Sequence, residues 1–588
     1  AQPSAGRTQV VGQIGDFFAA CMDEDAVEKA GDAPVKPALD EIAAMRSVAD
    51  LPAVLAHEQL TLPGQFLFEF SSSPDFANST MVIAFANAGG LGLPDRDYYV
   101  KTDPKSVETR QKYLAHVARM FTLAGDAADV ADRNARTVMD IETGLAKASL
   151  TRVELRDPWK LFHRESVAQL QAATPAFDWG VYFRAARVGE PATVNITEPA
   201  FYAEVERQLK TRDIADWKTY LRWHVIHAEA PYLSRAFVNE NFSFYSKYLR
   251  GVDQLAPRWK RCVRLVDRDL GEALGRVYVD RTFSPEAKER ARIMTTQIET
   301  AMGEEIRNLP WMGPDTKRHA LDKLHAVVNK IGYPDKWRDY SSVIVKRNDF
   351  LGNVMRATEF ENRRELNKIG HPVDRAEWEM TPPTVNAYYD PQKNDINFPA
   401  GVLQPPLFDL RLDDAPNYGD TGATIGHELT HGFDDEGRQF DAHGNLKDWW
   451  TKKDAAEFEK RINCVRRQYA NYIVVDDIHL NSKLTSGEDV ADLGGTLLAW
   501  LAWKAQTKGQ DLKPIGGFTP PQRFFIGMAQ WACGDERPEN KRVNAITNPH
   551  SPPEDRINGV VANLPEFAAA FSCHAGQPMV RAEACRVW

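Results

Sequence analysis

The chain has 588 residues, 43% of them apolar and 26% charged, the ordinary make-up of a globular protein with large cores and more than one domain. Its formal net charge is −10, from 72 basic and 82 acidic residues, and no basic run is interleaved with aromatics; this excludes general nucleic-acid binding. No apolar stretch approaches the roughly 18 residues of a bilayer-spanning helix.

The opening segment, residues 1–7, is polar and is not a signal peptide, which predicts a mature, processed or trimmed chain. From about 14 to 270 the pattern is mostly helical, with helical spacing over 106–123, 132–149 and 217–230 and loops at 88–94 and 188–191. Beyond 271, helical runs at 285–308 and 317–330 lead to a segment of different character. Residues 384–389 are β-branched and aromatic, 391–395 form a turn, and 396–398 return as a second strand. Pro382, Pro383 and Pro399 bracket the pair, which suits a sheet edge rather than a central strand. An exposed edge can bind an extended peptide by main-chain hydrogen bonds; the same residues would equally make an ordinary hairpin.

His427-Glu428-Leu429-Thr430-His431 follows. On a helix, residues advance about 100° each, so the two imidazoles share one face and can reach one metal ion. Glu428 can then face a water at that ion and act as general base. Asp420 and Thr421 are placed to cap this helix, Ile425 and Leu429 supply its apolar stripe, and Gly432 offers a stop. A catalytic zinc takes three protein ligands and keeps one position open. A second helix begins at Ser486-Gly487-Glu488-Asp489, with Leu493, Leu497 and Leu501 at period four, Ser486 as its cap and Asp489 completing a capping-box pattern. Its Glu488 and Asp492 project together. One carboxylate can complete a His-His-Glu site while the other accepts the free N–H of a ligating histidine; alone, both acids would simply favour a helix N-terminus.

Residues 426–434 (GHELTHGFD) followed by 487–492 (GEDVAD) resemble the neprilysin family of zinc endopeptidases, which includes the endothelin-converting enzymes and bacterial PepO-type oligopeptidases. Agreement continues at 90–99 (GLGLPDRDYY), 385–389 (VNAYY), 397–401 (NFPAG) and 585–588 (CRVW), so the resemblance runs from about residue 16 to the end. It implies a mainly α fold with a smaller β part (α+β). A thermolysin-like gluzincin catalytic domain would occupy 271–588. A large helical capping domain would occupy 1–270, lacking the N-terminal part of the family pattern and enclosing a central cavity that admits oligopeptides. A plain helical packing domain accounts for 1–270 equally well from the residues alone.

The resemblance further implies one zinc ion on His427, His431 and Glu488, with Glu428 as catalytic base and Asp492 orienting the first ligand histidine. His550 would donate to the developing oxyanion, Arg556 would hold a substrate carbonyl or carboxylate, and the Asn386 side chain and Ala387 backbone would grip the substrate. The implied reaction is zinc-dependent hydrolysis of internal peptide bonds in oligopeptides, on the amino side of hydrophobic residues. One departure stands out: Trp531-Ala532 replaces the usual Val-Trp, which leaves the depth and selectivity of the pocket after the scissile bond open.

Six cysteines would fit a reduced cytosolic enzyme as well as a disulfide-bonded one. The resemblance pairs Cys21 with Cys262 and Cys464 with Cys585, implying an oxidising, extracytoplasmic compartment: periplasmic, cell-surface or secreted. Cys533 and Cys573 then pair with each other, stay free, or bind a separate N-terminal fragment of the same protein. Expected partners are oligopeptide substrates, with no nucleic acid and no transmembrane segment in this chain, and a monomer is expected. The competing readings are another zinc peptidase such as an exopeptidase, and a non-catalytic peptide-binding protein of the same fold.

Overall fold

The structure, a computed structural model, describes residues 8–588, so the polar opening segment 1–7 lies outside it. It is mainly α, with small sheets set among helices. The chain forms two compact units. The first comprises the described residues up to Asp75, with Thr80–Leu274 and Arg338–Val373; the second comprises Phe76–Ser79, Gly275–Trp337 and Asp374–Trp588. The expected division was a single cut after 270, whereas the observed units exchange segments, residues 338–373 returning to the first.

In the first unit the helical periodicity is realised as helices Pro104–Leu123, Ala128–Ala148 and Ile214–Glu229. Asp103 caps the first by accepting from the Ser106 N–H, and Pro104 occupies its first turn, where no N–H is needed. Val117, Phe121, Val138, Ile141 and Trp223 are fully buried between these helices. The mostly helical reading of 14–270 missed a sheet here. Strands Phe68–Asp75 (β1), Asn78–Ala88 (β2), Arg164–Glu165 (β3) and Val194–Ile196 (β4) lie in the order β1-β2-β4-β3. The glycines after β2 are required by close approach: Gly90 has φ +69°, and a Cβ on it would collide with the Tyr220 hydroxyl, as one on Gly92 would with that of Tyr113. Beside them the buried Glu142 accepts hydrogen bonds from Tyr99 (2.7 Å) and Tyr113 (2.9 Å).

The second unit holds the residues of the metal motifs. Val328–Gly332 (β5) runs parallel to Asp395–Pro399 (β7), Val328 opposite Asp395, and Tyr388–Asp390 (β6) lies antiparallel on its other side, Tyr388 opposite Asn397. The order β5-β7-β6 corrects two expectations. The returning strand is central and fully buried, so of the expected pair only β6 is an edge, with β5 at the other side of the sheet. The helix expected over 317–330 ends at His325, because the β-branched Val327 and Val328 start the strand that β7 needs as its second partner. Lys330 and Asp395 form a buried ion pair across these two strands, at 2.7 Å.

Cys21 bonds Cys262 within the first unit and Cys464 bonds Cys585 within the second, while Cys533 and Cys573 are free thiols. Two disulfides belong to an oxidising compartment. Among the described residues no helix is long and apolar enough to cross a membrane.

Glu58 and Glu229 in the first unit are buried carboxyls, and burial, reinforced by neighbouring carboxylates, raises each to about 8. Their folded-state pKa lies above the unfolded value, so their contribution is fully present below about pH 4.3 and is lost as pH rises through about 8. Both carboxyl oxygens of Glu229 lack a hydrogen-bond partner. Glu229→Gln is therefore expected to raise stability at pH 8 by about 1–3 kcal/mol, with a smaller gain at pH 5. Chemical unfolding curves at the two pH values check this; an equal shift at both would remove the carboxyl from the explanation.

Candidate metal centre

Two helices of the second unit build the centre: Ala423–His431 (α1) and Ser486–Gln506 (α2). Their approach is set by glycine. A Cβ on Gly426 would sit 2.6 Å from the Gly495 carbonyl oxygen, and one on Gly495 would collide with the His427 backbone nitrogen. With hydrogen atoms at both positions the backbones touch, and the first turns of α2 lie directly beside His427. The expected caps did not form. Residues Tyr418–Gly422 are a π-helical turn that runs straight into α1, Gly422 being its N-cap without a side-chain bond. Thr421 instead donates to the Leu407 carbonyl (3.0 Å), and Asp420 is buried. Gly432 does end α1, but in right-handed conformation. α2 starts at Ser486, yet Thr485 is its N-cap, and the hydroxyls of Thr485 and Ser551 both donate to Asp489 (2.7 and 2.5 Å).

Three donor atoms converge. His427 Nε2 and His431 Nε2 are 2.9 Å apart, and Glu488 Oε2 lies 3.2 Å from the first and 3.6 Å from the second. Ligands about 2.0–2.1 Å from a tetrahedral ion are separated by about 3.3–3.4 Å, so this triangle has the size of one face of such a site. Glu488 Oε2 is also a buried oxygen with no hydrogen-bond donor, an arrangement a cation would satisfy. The Glu428 carboxyl lies within 4.8 Å of the two imidazoles. It makes no hydrogen bond, and it faces the same cavity, of about 490 Å³. The closer oxygen, that of Glu488, is the better third donor, which leaves Glu428 for chemistry.

The far side of each imidazole is held by a carboxylate. Asp492 Oδ1 is 2.8 Å from His427 Nδ1, and Asp434 Oδ2 is 2.7 Å from His431 Nδ1. These contacts put the proton on Nδ1 and leave Nε2 as the lone-pair donor. The sequence reading named Asp492 and missed Asp434, although its position three residues after His431 on the same chain segment was a usable signal. Arg556 grips Asp492 through a two-pronged pair, Nε to Oδ2 and Nη2 to Oδ1, both 2.7 Å, and its guanidinium stacks 4.6 Å from the Trp531 ring centre. Arg556 thus first orients Asp492 while still lining the cavity.

His550 Nε2 lies 3.2 Å from Glu488 Oε2, and its Nδ1 faces Asn548 Oδ1 at 2.9 Å. Nδ1 donates to that amide oxygen, so Nε2 can donate only when the ring is cationic. Asn386 is exposed at the cavity rim and Ala387 is buried beside it, both ahead of β6 rather than within it. Trp531, His550, Arg556 and Asn386 also border a second cavity of about 400 Å³.

The electrostatics follow from this packing. Burial and His431 act to lower His427, but Asp492 and Glu488 outweigh them and raise it to about 8. Burial also opposes the charged form of His431, yet Glu488 and Asp434 hold it well above the usual imidazole range. Glu488 stays well below the carboxylate range, and Asp492 falls to about 2, in both cases against the opposing effect of burial. Glu428 is raised, chiefly by burial. Burial lowers His550.

Comparison with known proteins adds to this geometry. The model of Peptidase family M13 matches residues 1–334 and 386–587. Endothelin-converting enzyme 1 of Rattus norvegicus is 32% identical over 611 residues, covering 100% of this chain and 79% of that protein. Among solved structures, the Mycobacterium tuberculosis zinc metalloprotease Zmp1 in complex with inhibitor superposes with a TM-score of 0.95 at 38% identity, covering 99% of this chain and 90% of that one. PepO from Lactobacillus rhamnosis HN001 gives 0.87 at 26% identity, covering 98% and 90%.

The carboxylate behind each imidazole generates a prediction. Asp434→Asn is expected to weaken zinc affinity by about 10–100-fold, and Glu488→Ala to leave the purified protein with little zinc. Competition with a chromophoric chelator and elemental analysis measure both. Unchanged zinc content in Glu488→Ala would remove it as a ligand.

Proposed function

Because the chain belongs to peptidase family M13 and is a metalloendopeptidase, we propose that it cuts internal bonds of oligopeptides at one zinc ion held by His427, His431 and Glu488. The observation that carries this reading is the triangle of Nε2, Nε2 and Oε2 at 2.9, 3.2 and 3.6 Å, with the unpartnered Glu428 on the same cavity. Bound there, zinc supplies Lewis acidity, polarising a scissile carbonyl and making water acidic enough to attack near neutral pH.

The remaining steps belong to this chain's own residues. Glu428 takes a proton from the attacking water and passes it to the leaving amine, a task suited to a carboxyl whose pKa burial has raised. His550, when its ring is cationic, donates to the developing oxyanion through Nε2, a contribution that fades as pH rises through its lowered pKa. Asp492 and Asp434 keep both ligating rings in one tautomer, and Arg556 locks Asp492 while presenting its outer face to a substrate carbonyl or carboxylate. Asn386 and the Ala387 backbone, at the rim beside edge strand β6, hold an extended peptide. The apolar walls Val402, Leu407, Ala423 and Met528 accept a side chain with an aliphatic stem, and cleavage falls on the amino side of the residue they hold. The two disulfides support an extracytoplasmic enzyme, whether periplasmic, cell-surface or secreted.

The test is hydrolysis of peptides blocked at both termini. Internal cuts that a chelator abolishes and zinc restores are expected; cuts confined to free termini would replace this reading by an exopeptidase. Glu428→Gln is expected to keep its zinc and lose about 10²–10⁴-fold in kcat. Retention of most activity by that variant would overturn the assigned proton transfer.

A further inference from the structure

The π-helical turn Tyr418–Gly422 leaves one group without a partner. Its backbone is wedged in place: a Cβ on Gly419 would collide with the Phe524 carbonyl oxygen of helix Pro520–Gln530 (α3). Its other polar side chains are committed. Tyr418 donates to Gln297, and Thr421 to the Leu407 carbonyl. The carboxyl of Asp420 has neither a hydrogen bond nor an ion pair among the described residues, although the residue is only 3% exposed and its Oδ2 is fully buried. Asp420 lines the cavity that contains His427, Glu428 and His431. Leu407, Ala423 and Met528 line the same cavity, together with Thr424 and Thr496. The two nearby hydroxyls cannot serve it: Thr424 donates to the Asp420 backbone carbonyl (3.1 Å), and Thr496 to that of Asp492 (2.8 Å).

A buried acceptor without a donor is destabilising unless something that visits the site supplies the donor. Apolar walls ending in a carboxyl match one kind of side chain, an aliphatic stem carrying a terminal cation. We propose that Asp420 is the specificity-determining residue of this cavity, pairing with a lysine or arginine side chain of the substrate immediately after the scissile bond.

This rests on the peptidase reading above and narrows it: a purely aliphatic residue fits the walls but leaves the carboxyl unpaired. Among the described residues no basic side chain contributes to the charge balance of Asp420, and burial raises it to about 8. In the free enzyme the carboxyl can therefore stay protonated near neutral pH, and an arriving ammonium or guanidinium displaces that proton. The ion pair so formed is shielded from water, where charge-assisted bonds are strongest.

The experiment compares zinc-loaded wild type and Asp420→Asn on peptides that differ only after the scissile bond, carrying lysine, arginine or norleucine. Norleucine keeps the aliphatic stem without the charge. Wild type is expected to cleave the lysine and arginine peptides with kcat/KM at least equal to norleucine. Asp420→Asn is expected to lower the lysine-to-norleucine ratio about 30-fold or more. A wild-type preference for norleucine by tenfold or more overturns the proposal, and so does an unchanged ratio in Asp420→Asn. Because the ratio in wild type is itself decisive, the result does not hang on how well the variant folds. Wild type that cuts no blocked peptide in the presence of zinc overturns the peptidase reading, and this inference with it.

Discussion

The metal centre exists because two helices touch backbone to backbone. Gly426 on α1 faces Gly495 on α2, and any side chain at either position would occupy the space of the other helix's main chain. Helices packed through ordinary side chains lie about 8–10 Å apart; the closer glycine contact brings Glu488, in the first turn of α2 and seven residues before Gly495, to the histidines of α1. The contact also buries both helices almost completely: every residue of α2 from Ser486 to Ala499 is buried. The ligands are therefore placed by rigid elements, and loops carry only the groups that meet substrate, such as His550 and Asn386.

Given that contact, the charges organise one another. Two imidazoles and two carboxylates from the facing helices sit in one buried cluster, to which Asp434 and Arg556 add one charge of each sign. Such a cluster is costly unless every member is paired. Arg556 forks onto Asp492, Asp434 accepts from His431 Nδ1, Asp492 lies against His427 Nδ1 at ion-pair distance, and the three remaining donor atoms are left pointing at one another. What is unpaired after this accounting is what chemistry needs: Glu488 Oε2, the Glu428 carboxyl and the cavity in front of them. The same accounting singles out Asp420, the one carboxyl of the adjoining turn that no neighbour satisfies.

Local chemistry was legible in the sequence wherever spacing alone decides it. The i, i+4 pairs His427/His431 and Glu488/Asp492 required only helical geometry, and the helix Pro285–Asn308 was readable from its periodicity. What escaped depended on partners distant in sequence. Strand β2 contains the run Met81–Phe85, rich in strand-forming residues, and pairs with the neighbouring β1, yet the sheet lies among helices and its continuation β4 is only three residues long and more than a hundred residues on. The strand β5 was absorbed into the preceding helix because its pairing with β7 lies more than sixty residues away. Asp420 and Thr421 have the composition of a helix cap, but the π-turn continues into α1 and leaves no free end to cap. The glycines at 426 and 495 carry no periodic signal at all, since their role is an absence of atoms.

The C-terminal residues show how the core reaches the centre. Trp588 is buried among Trp311, Phe433 and Phe458, and a Cβ on Gly494 would lie 2.8 Å from its indole ring. Gly494 adjoins the glycine of the helix contact, and Thr430, adjoining His431, closes the other side of that space. Val587 accepts a hydrogen bond from the Trp311 indole at 3.2 Å, the Cys585 N–H donates to Asn563, and Cys585 is bonded to Cys464. The end of the chain is thus anchored by a disulfide and two buried hydrogen bonds, and its final ring fills the space beside the crossing of α1 and α2. A terminal indole in that position limits how far the two helices can slide, and with them the spacing of the three donor atoms. That is a physical reason for a tryptophan at position 588, independent of any resemblance.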